Sequence, residues 1–209
     1  MIETTRGLVL RTRPLTETSL IVHWLTTDRG RIATVAKGER RPKSPFRGKL
    51  DLFYVADFSF LRSRSSELHN LREVSLCETN SFLRQNLSAL KSSSYAAALL
   101  ELTTETETPL PGMYELLSAL IESLQHHAET AHLLPTFELK LLDHLGLRPD
   151  LANASLQPGT KLLIGNMMDS DWETLIRLKP SPAQQKQIEQ FLHGFLIYHF
   201  GRLPGGTRG

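Results

Sequence analysis

The apolar residues of this chain change period near residue 80, and that change limits the fold more than any single motif. Before it they alternate with polar residues. After it they recur every three or four positions. Such a chain builds a sheet or barrel first and a helical body afterwards. Strand signals fall at residues 7–13, 18–26, 31–36, 50–62 and 67–76, and Asp28-Arg29-Gly30 marks a hairpin turn. Within 50–62, Leu50, Leu52, Tyr54, Ala56, Phe58 and Phe60 take one face. The other face, with Phe53, Val55 and Leu61, is itself partly apolar. Both faces of this strand are expected to be covered, as in a small barrel. Five short strands within about 75 residues suit a five-stranded antiparallel OB-fold barrel.

Beyond Asn80 the spacing predicts helices. Phe82, Leu83, Leu87 and Leu90 lead, with a break expected at Ser92–Ser94 before Tyr95, Leu99 and Leu102. Thr103–Pro111 reads as a polar linker. A helix carrying Leu116, Leu117, Leu120, Ile121 and Leu124 follows, then one over 133–145 that stops at Gly146. Residues 148–181, rich in Gly, Pro, Asn and Ser, read as loops with room for a hairpin. Ser181-Pro182 opens a last helix, with Ser181 as N-cap and Pro182 at its first position. The fold class is therefore α+β, divided into 1–79, a helical domain over 80–202 and a disordered tail at 203–209.

Between the third and fourth strands lies the segment 37–49. Lys37, Arg40, Arg41, Lys43, Arg47 and Lys49 give it six cations against Glu39. Its Gly and Pro residues exclude a helix, so the charges sit on an irregular, exposed connection. The chain as a whole is only +2, but residues 1–80 carry a net +5 and the remainder −3. The asymmetry assigns the halves different jobs and makes this loop a candidate phosphate-contact surface. Arg11, Arg13 and Arg31 at neighbouring strand ends widen it, and Phe46 is a candidate for stacking on a base. The bland alternative is that the loop merely keeps a small barrel in solution.

Catalytic motifs are absent from the sequence: it has no phosphate-binding glycine loop, dinucleotide fingerprint, His-Glu-x-x-His or Gly-x-Ser-x-Gly. His126 and His127 are neighbours and suit a solvated helix end. His23 is expected on a strand surface, and the single cysteine, Cys77, as a small buried hydrophobe. One cysteine makes neither an intrachain disulfide nor a cysteine-based zinc site. The first residues do not pattern as a signal peptide and no long apolar run occurs, so the cytoplasm is the expected compartment.

Gly7-Leu-Val-Leu-Arg11, Thr16-Glu-Thr-Ser-Leu20, Thr27-Asp-Arg-Gly-Arg31 and Val35-Ala-Lys-Gly38 with its basic tract resemble the amino-terminal domain of the RecO family. Phe137-Glu-Leu-Lys-Leu-Leu-Asp-His-Leu-Gly-Leu147 with Arg148-Pro-Asp150, and the end Tyr198-His-Phe-Gly-Arg202, are similar to its helical half. The resemblance implies an OB-fold joined to a helical domain and a non-catalytic mediator of DNA repair in the RecF pathway. Such a mediator binds single- and double-stranded DNA and anneals complementary strands. With RecR it helps load RecA onto DNA coated by single-strand-binding protein. No cofactor is implied. Many family members carry a four-cysteine zinc module where residues 148–181 contain no cysteine, so a shortened, zinc-free lobe held by packing alone is expected here. The rival readings are an OB-type module acting on RNA or the translation machinery, and a non-catalytic protein scaffold.

Overall fold

The computed structural model describes residues 1–205. Five strands, β1 (Ile2–Pro14), β2 (Leu20–Thr26), β3 (Arg31–Ala36), β4 (Val55–Leu61) and β5 (Leu68–Glu78), close into an OB-like barrel in the order β1-β2-β3-β5-β4. Every pairing is antiparallel except β3 with β5, which is parallel and shuts the barrel. β-branched and aromatic residues dominate the inward face. Trp24 stacks on Phe58 at 4.1 Å between ring centres, and its indole N–H donates to Thr34 Oγ1 at 2.9 Å. Val9, Val22, Ile32, Phe60, Leu71 and Val74 pack around them.

The fourth strand begins at Val55 and not at residue 50. Leu50–Tyr54 turns instead, with Phe53 buried at φ +62°. Three hydrogen bonds hold that unfavourable backbone: Phe53 N to Val9 O (2.8 Å), Val9 N to Tyr54 O (2.9 Å) and Asn80 Nδ2 to Phe53 O (2.8 Å).

The chain divides into two compact units. The first is Met1–Ser81 together with Thr104–Tyr114, so the stretch read as a linker is part of the barrel unit. It forms a strap. Glu107 N donates to Arg31 O at 2.7 Å, and the Arg31 guanidinium donates to both Oγ1 and the carbonyl of Thr104. The hairpin glycine makes room for it: a Cβ on Gly30, at φ +67°, would lie 2.1 Å from Thr108 O. Charged groups finish the joint. Glu107 pairs with Arg62 and lies 3.2 Å from the buried Nε2 of His69, while Arg29 pairs with Glu3 at 2.5 Å. Burial holds the His69 pKa below its ordinary value, so the imidazole is a neutral donor to Glu107 near pH 7.

The second unit, Phe82–Thr103 with residues from Glu115 onward, is helical. It holds α1 (Leu87–Thr103), most of α2 (Met113–His127), α3 (Leu133–His144), α4 (Pro158–Asp169), α5 (Trp172–Ile176) and α6 (Pro182–Phe200). α1 runs unbroken through Ser92–Ser94, because Ser92 and Ser93 are small enough to be buried on a packed face. α6 opens as expected: Ser181 Oγ accepts from Gln184 N while Gln184 returns a bond to Ser181 N.

Residues 148–181 are not loops. Thr160, Ile164, Met167 and Met168 lie on one buried helical face of α4, and Leu175 of α5 is buried as well. Packing does not hold this lobe alone. Lys140 Nζ donates to the carbonyls of Met168 (3.0 Å) and Ser170 (2.8 Å), closing the C-terminus of α4. The buried His132 Nε2 donates to Leu175 O at 2.7 Å, and Thr160 Oγ1 donates to Gln187 at 2.7 Å. Of the expected tail, Leu203 and Pro204 are half-buried, and residues 206–209 lie outside the described residues.

Phe46 is 5% exposed and belongs to the barrel core, which overturns its reading as a base-stacking ring. Phe46→Ala is therefore expected to lower unfolding stability by about 3–5 kcal/mol, measured by denaturant titration. A stable variant with normal melting would contradict this placement.

Candidate nucleic-acid interface

The basic segment leaves β3 at Ala36 as a chain of tight turns. Arg41 N bonds Gly38 O, Ser44 N bonds Arg41 O, Arg47 N bonds Ser44 O and Lys49 N bonds Phe46 O, at 3.0–3.3 Å. Gly38 and Gly48 take the left-handed φ values, +72° and +73°, that these reversals need. Phe46 and Leu50 anchor the segment in the core, and Arg40 N ties it to Thr18 O of the β1–β2 turn at 3.1 Å. The connection is irregular, as expected, but its backbone is pinned.

The six cations divide by what they touch. Lys37, Arg40, Arg41 and Lys43 are exposed, and among the described residues their side chains make no hydrogen bond or ion pair. Arg47 is exposed but donates to Pro42 O at 3.0 Å within its own loop. Lys49 is half-buried and donates to Val74 O at 3.2 Å, stitching the loop to β5. Four side chains thus project into solvent uncommitted, and two brace the turns.

The strand register extends the charge. Pro14, Leu20 and Ala36 form one cross-strand row at the edge where the segment departs. The next rows are Arg13–Ile21–Val35 and, past them, Arg11–His23–Ala33. Because Val22 and Trp24 point inward, His23 points to the outer face of the sheet. It is half-buried there, not simply on the surface. Burial first, and then Arg11, Arg13 and Arg31, push its pKa down to about 4. Arg31 stands further along, opposite Leu25, with its guanidinium on Thr104 of the strap. Arg11 and Arg13 therefore adjoin the loop, whereas Arg31 is engaged in holding the strap.

Other candidates fall away from this surface. Cys77 is exposed, not buried, because it lies on the outer side of β5 with its Sγ 3.5 Å from Asp57 Oδ2. His126 and His127 sit in the exposed last turn of α2. Among the described residues no group of three or more His, Cys, Asp or Glu side chains is placed to hold a metal, and no helix is long and apolar enough to cross a membrane.

The family model described as "Recombination protein O N terminal" matches residues 1–80, and "Recombination protein O C terminal" matches residues 84–156. Among similar proteins, "DNA repair protein RecO" of Salinibacter ruber is 26% identical over 94% of this chain and 87% of its own. That of Alkaliphilus metalliredigens is 25% identical over 97% and 96%. That of Rhodopirellula baltica is 33% identical over 68% of this chain but only 53% of its own length. The first match takes in the whole barrel with its basic turns, the second begins in the helical unit, and the chain belongs to the RecO family of DNA repair proteins.

Proposed function

We propose that this protein is a non-catalytic, cytoplasmic recombination mediator that binds single- and double-stranded DNA through its phosphates and anneals complementary strands. With RecR it would help RecA assemble on DNA coated by single-strand-binding protein. The observation that carries the DNA-binding reading is the uncommitted quartet Lys37, Arg40, Arg41 and Lys43, held out by turns that Phe46 roots in the core. Arg47, Arg11 and Arg13 add charge at the same barrel edge; Lys49 and Arg31 act mainly by bracing the surface.

Annealing requires strands to be held while their base edges stay available. Contacts to phosphate carry no sequence information and leave those edges open. With Phe46 inside the core, the segment offers no ring to hold a base, which favours backbone contact.

Four single-strand phosphate contacts give a slope of log K against log salt of roughly −3. Replacing Lys37, Arg40, Arg41 and Lys43 together by Ser should weaken single-stranded DNA binding and flatten that slope. A slope near zero in the native protein, or an unaltered slope in the variant, contradicts the reading.

Phosphates lying across Arg11 and Arg13 would offset the charges that help keep His23 neutral. Its NMR titration midpoint, near 4 in the free protein, should therefore rise toward the ordinary value of about 6.5 when an oligonucleotide is bound. An unmoved midpoint places the strand away from this face. The same depression has a consequence for stability. The unfolded chain takes up a proton on this residue first, so the contribution of neutral His23 is full above about pH 6.5 and declines as the pH falls toward 4.

A further inference from the structure

We propose that Leu15, at the tip of the β1–β2 turn, is an apolar wedge that presses on an unstacked base where bound single-stranded DNA meets a duplex. This deepens the phosphate-binding reading above and rests on it. Leu15 is 46% exposed. A lone exposed leucine is ordinary on a protein surface, so exposure alone carries nothing. Its mounting and its neighbours carry the argument.

The turn is tightly pinned. Leu15 N and Thr16 N both donate to Ser19 O, at 2.9 and 3.3 Å. Thr16 Oγ1 accepts from Thr18 N (3.3 Å) and Ser19 N (3.0 Å). Arg40 N donates to Thr18 O at 3.1 Å, joining the turn to the basic segment. Pro14 stiffens the approach. The tip is thus ordered before any ligand arrives, which lowers the entropic cost of contact.

Cations flank it. Arg13 lies two residues before Leu15 on β1, and Arg40 and Arg41 belong to the segment bonded to the turn. Glu17 sits on the same exposed turn, and its carboxylate disfavours a phosphate there. The backbone of a bound strand is therefore drawn to the arginines, which leaves a base to meet the hydrocarbon. Leucine is among the side chains that proteins insert between base steps, at a cost of a few kcal/mol per step. The cost is least where a base is already unpaired, as at the end of a duplex. A hydrocarbon touches the face of a base and not its pairing edge, so annealing chemistry is preserved.

The test uses the full chain at low salt with a tailed duplex carrying 2-aminopurine at the junction. Saturating native protein should raise the emission about two-fold or more, as unstacking by an inserted side chain requires. Leu15→Ala should abolish that rise while keeping DNA affinity and salt slope, since the exposed side chain supports no core. Leu15→Trp should restore the rise, with its own fluorescence quenched on binding. An unchanged emission at saturation, or an equal rise with Leu15→Ala, overturns the wedge and leaves phosphate binding standing. Failure of the native chain to bind the tailed duplex overturns both.

Discussion

The burial of Phe46 in the barrel is the contact on which the cationic surface depends. Six positive side chains within thirteen residues repel one another at distances shorter than the screening length of physiological salt, about 8 Å. Left to itself such a segment would expand. Here one aromatic ring in the core, with Leu50 beside it, sets where the turns begin and end. The turn hydrogen bonds then fix the backbone between them. The charges stay concentrated because an apolar residue among them is not in solvent.

Charge by itself does not mark the interface; what each charge touches does. Arg29, Arg31 and Arg62 are as cationic as Arg40 and Arg41, but they meet Glu3, Thr104 and Glu107 around the strap. Those contacts join residues as much as 73 positions apart and make the segment after α1 part of the barrel unit. The remaining cations collect on one barrel edge, where the β1–β2 turn and the turns after β3 are bonded through Arg40 and Thr18. The helical unit follows the same rule inwardly: Lys140 and His132 point at backbone carbonyls and tie α4 and α5 to α3, work that many relatives are expected to give to a metal.

Local chemistry made much of this legible in the sequence. The hairpin at Asp28–Gly30, the capping box at Ser181 and the halt at Gly146 each depend on residues within a few positions of one another. So did the basic segment and its placement between the third and fourth strands. What escaped depends on distant partners. The true start of β4 is set by the amide of Asn80 and by Val9, which hold Phe53 in a conformation that alternation does not signal. The strap is polar, and only Arg31 and Gly30 explain where it lies. α4 was hidden by Gly159 and Gly165, although Thr160, Ile164 and Met167 already had helical spacing. Phe46 and Cys77 were each given the other's surroundings, since neither a loop aromatic nor a strand cysteine declares which way it faces.

The central claim is that a strand of DNA lies on the uncommitted cations of the basic turns. Lysine footprinting of the full chain, with and without single-stranded oligonucleotide, tests it residue by residue. The account predicts that Lys37 and Lys43 become protected, that Lys49 reacts poorly in both states because it is held on Val74 O, and that Lys179 and Lys186 are unaffected. Protection confined to lysines of the helical unit, with Lys37 and Lys43 still fully reactive, would contradict it.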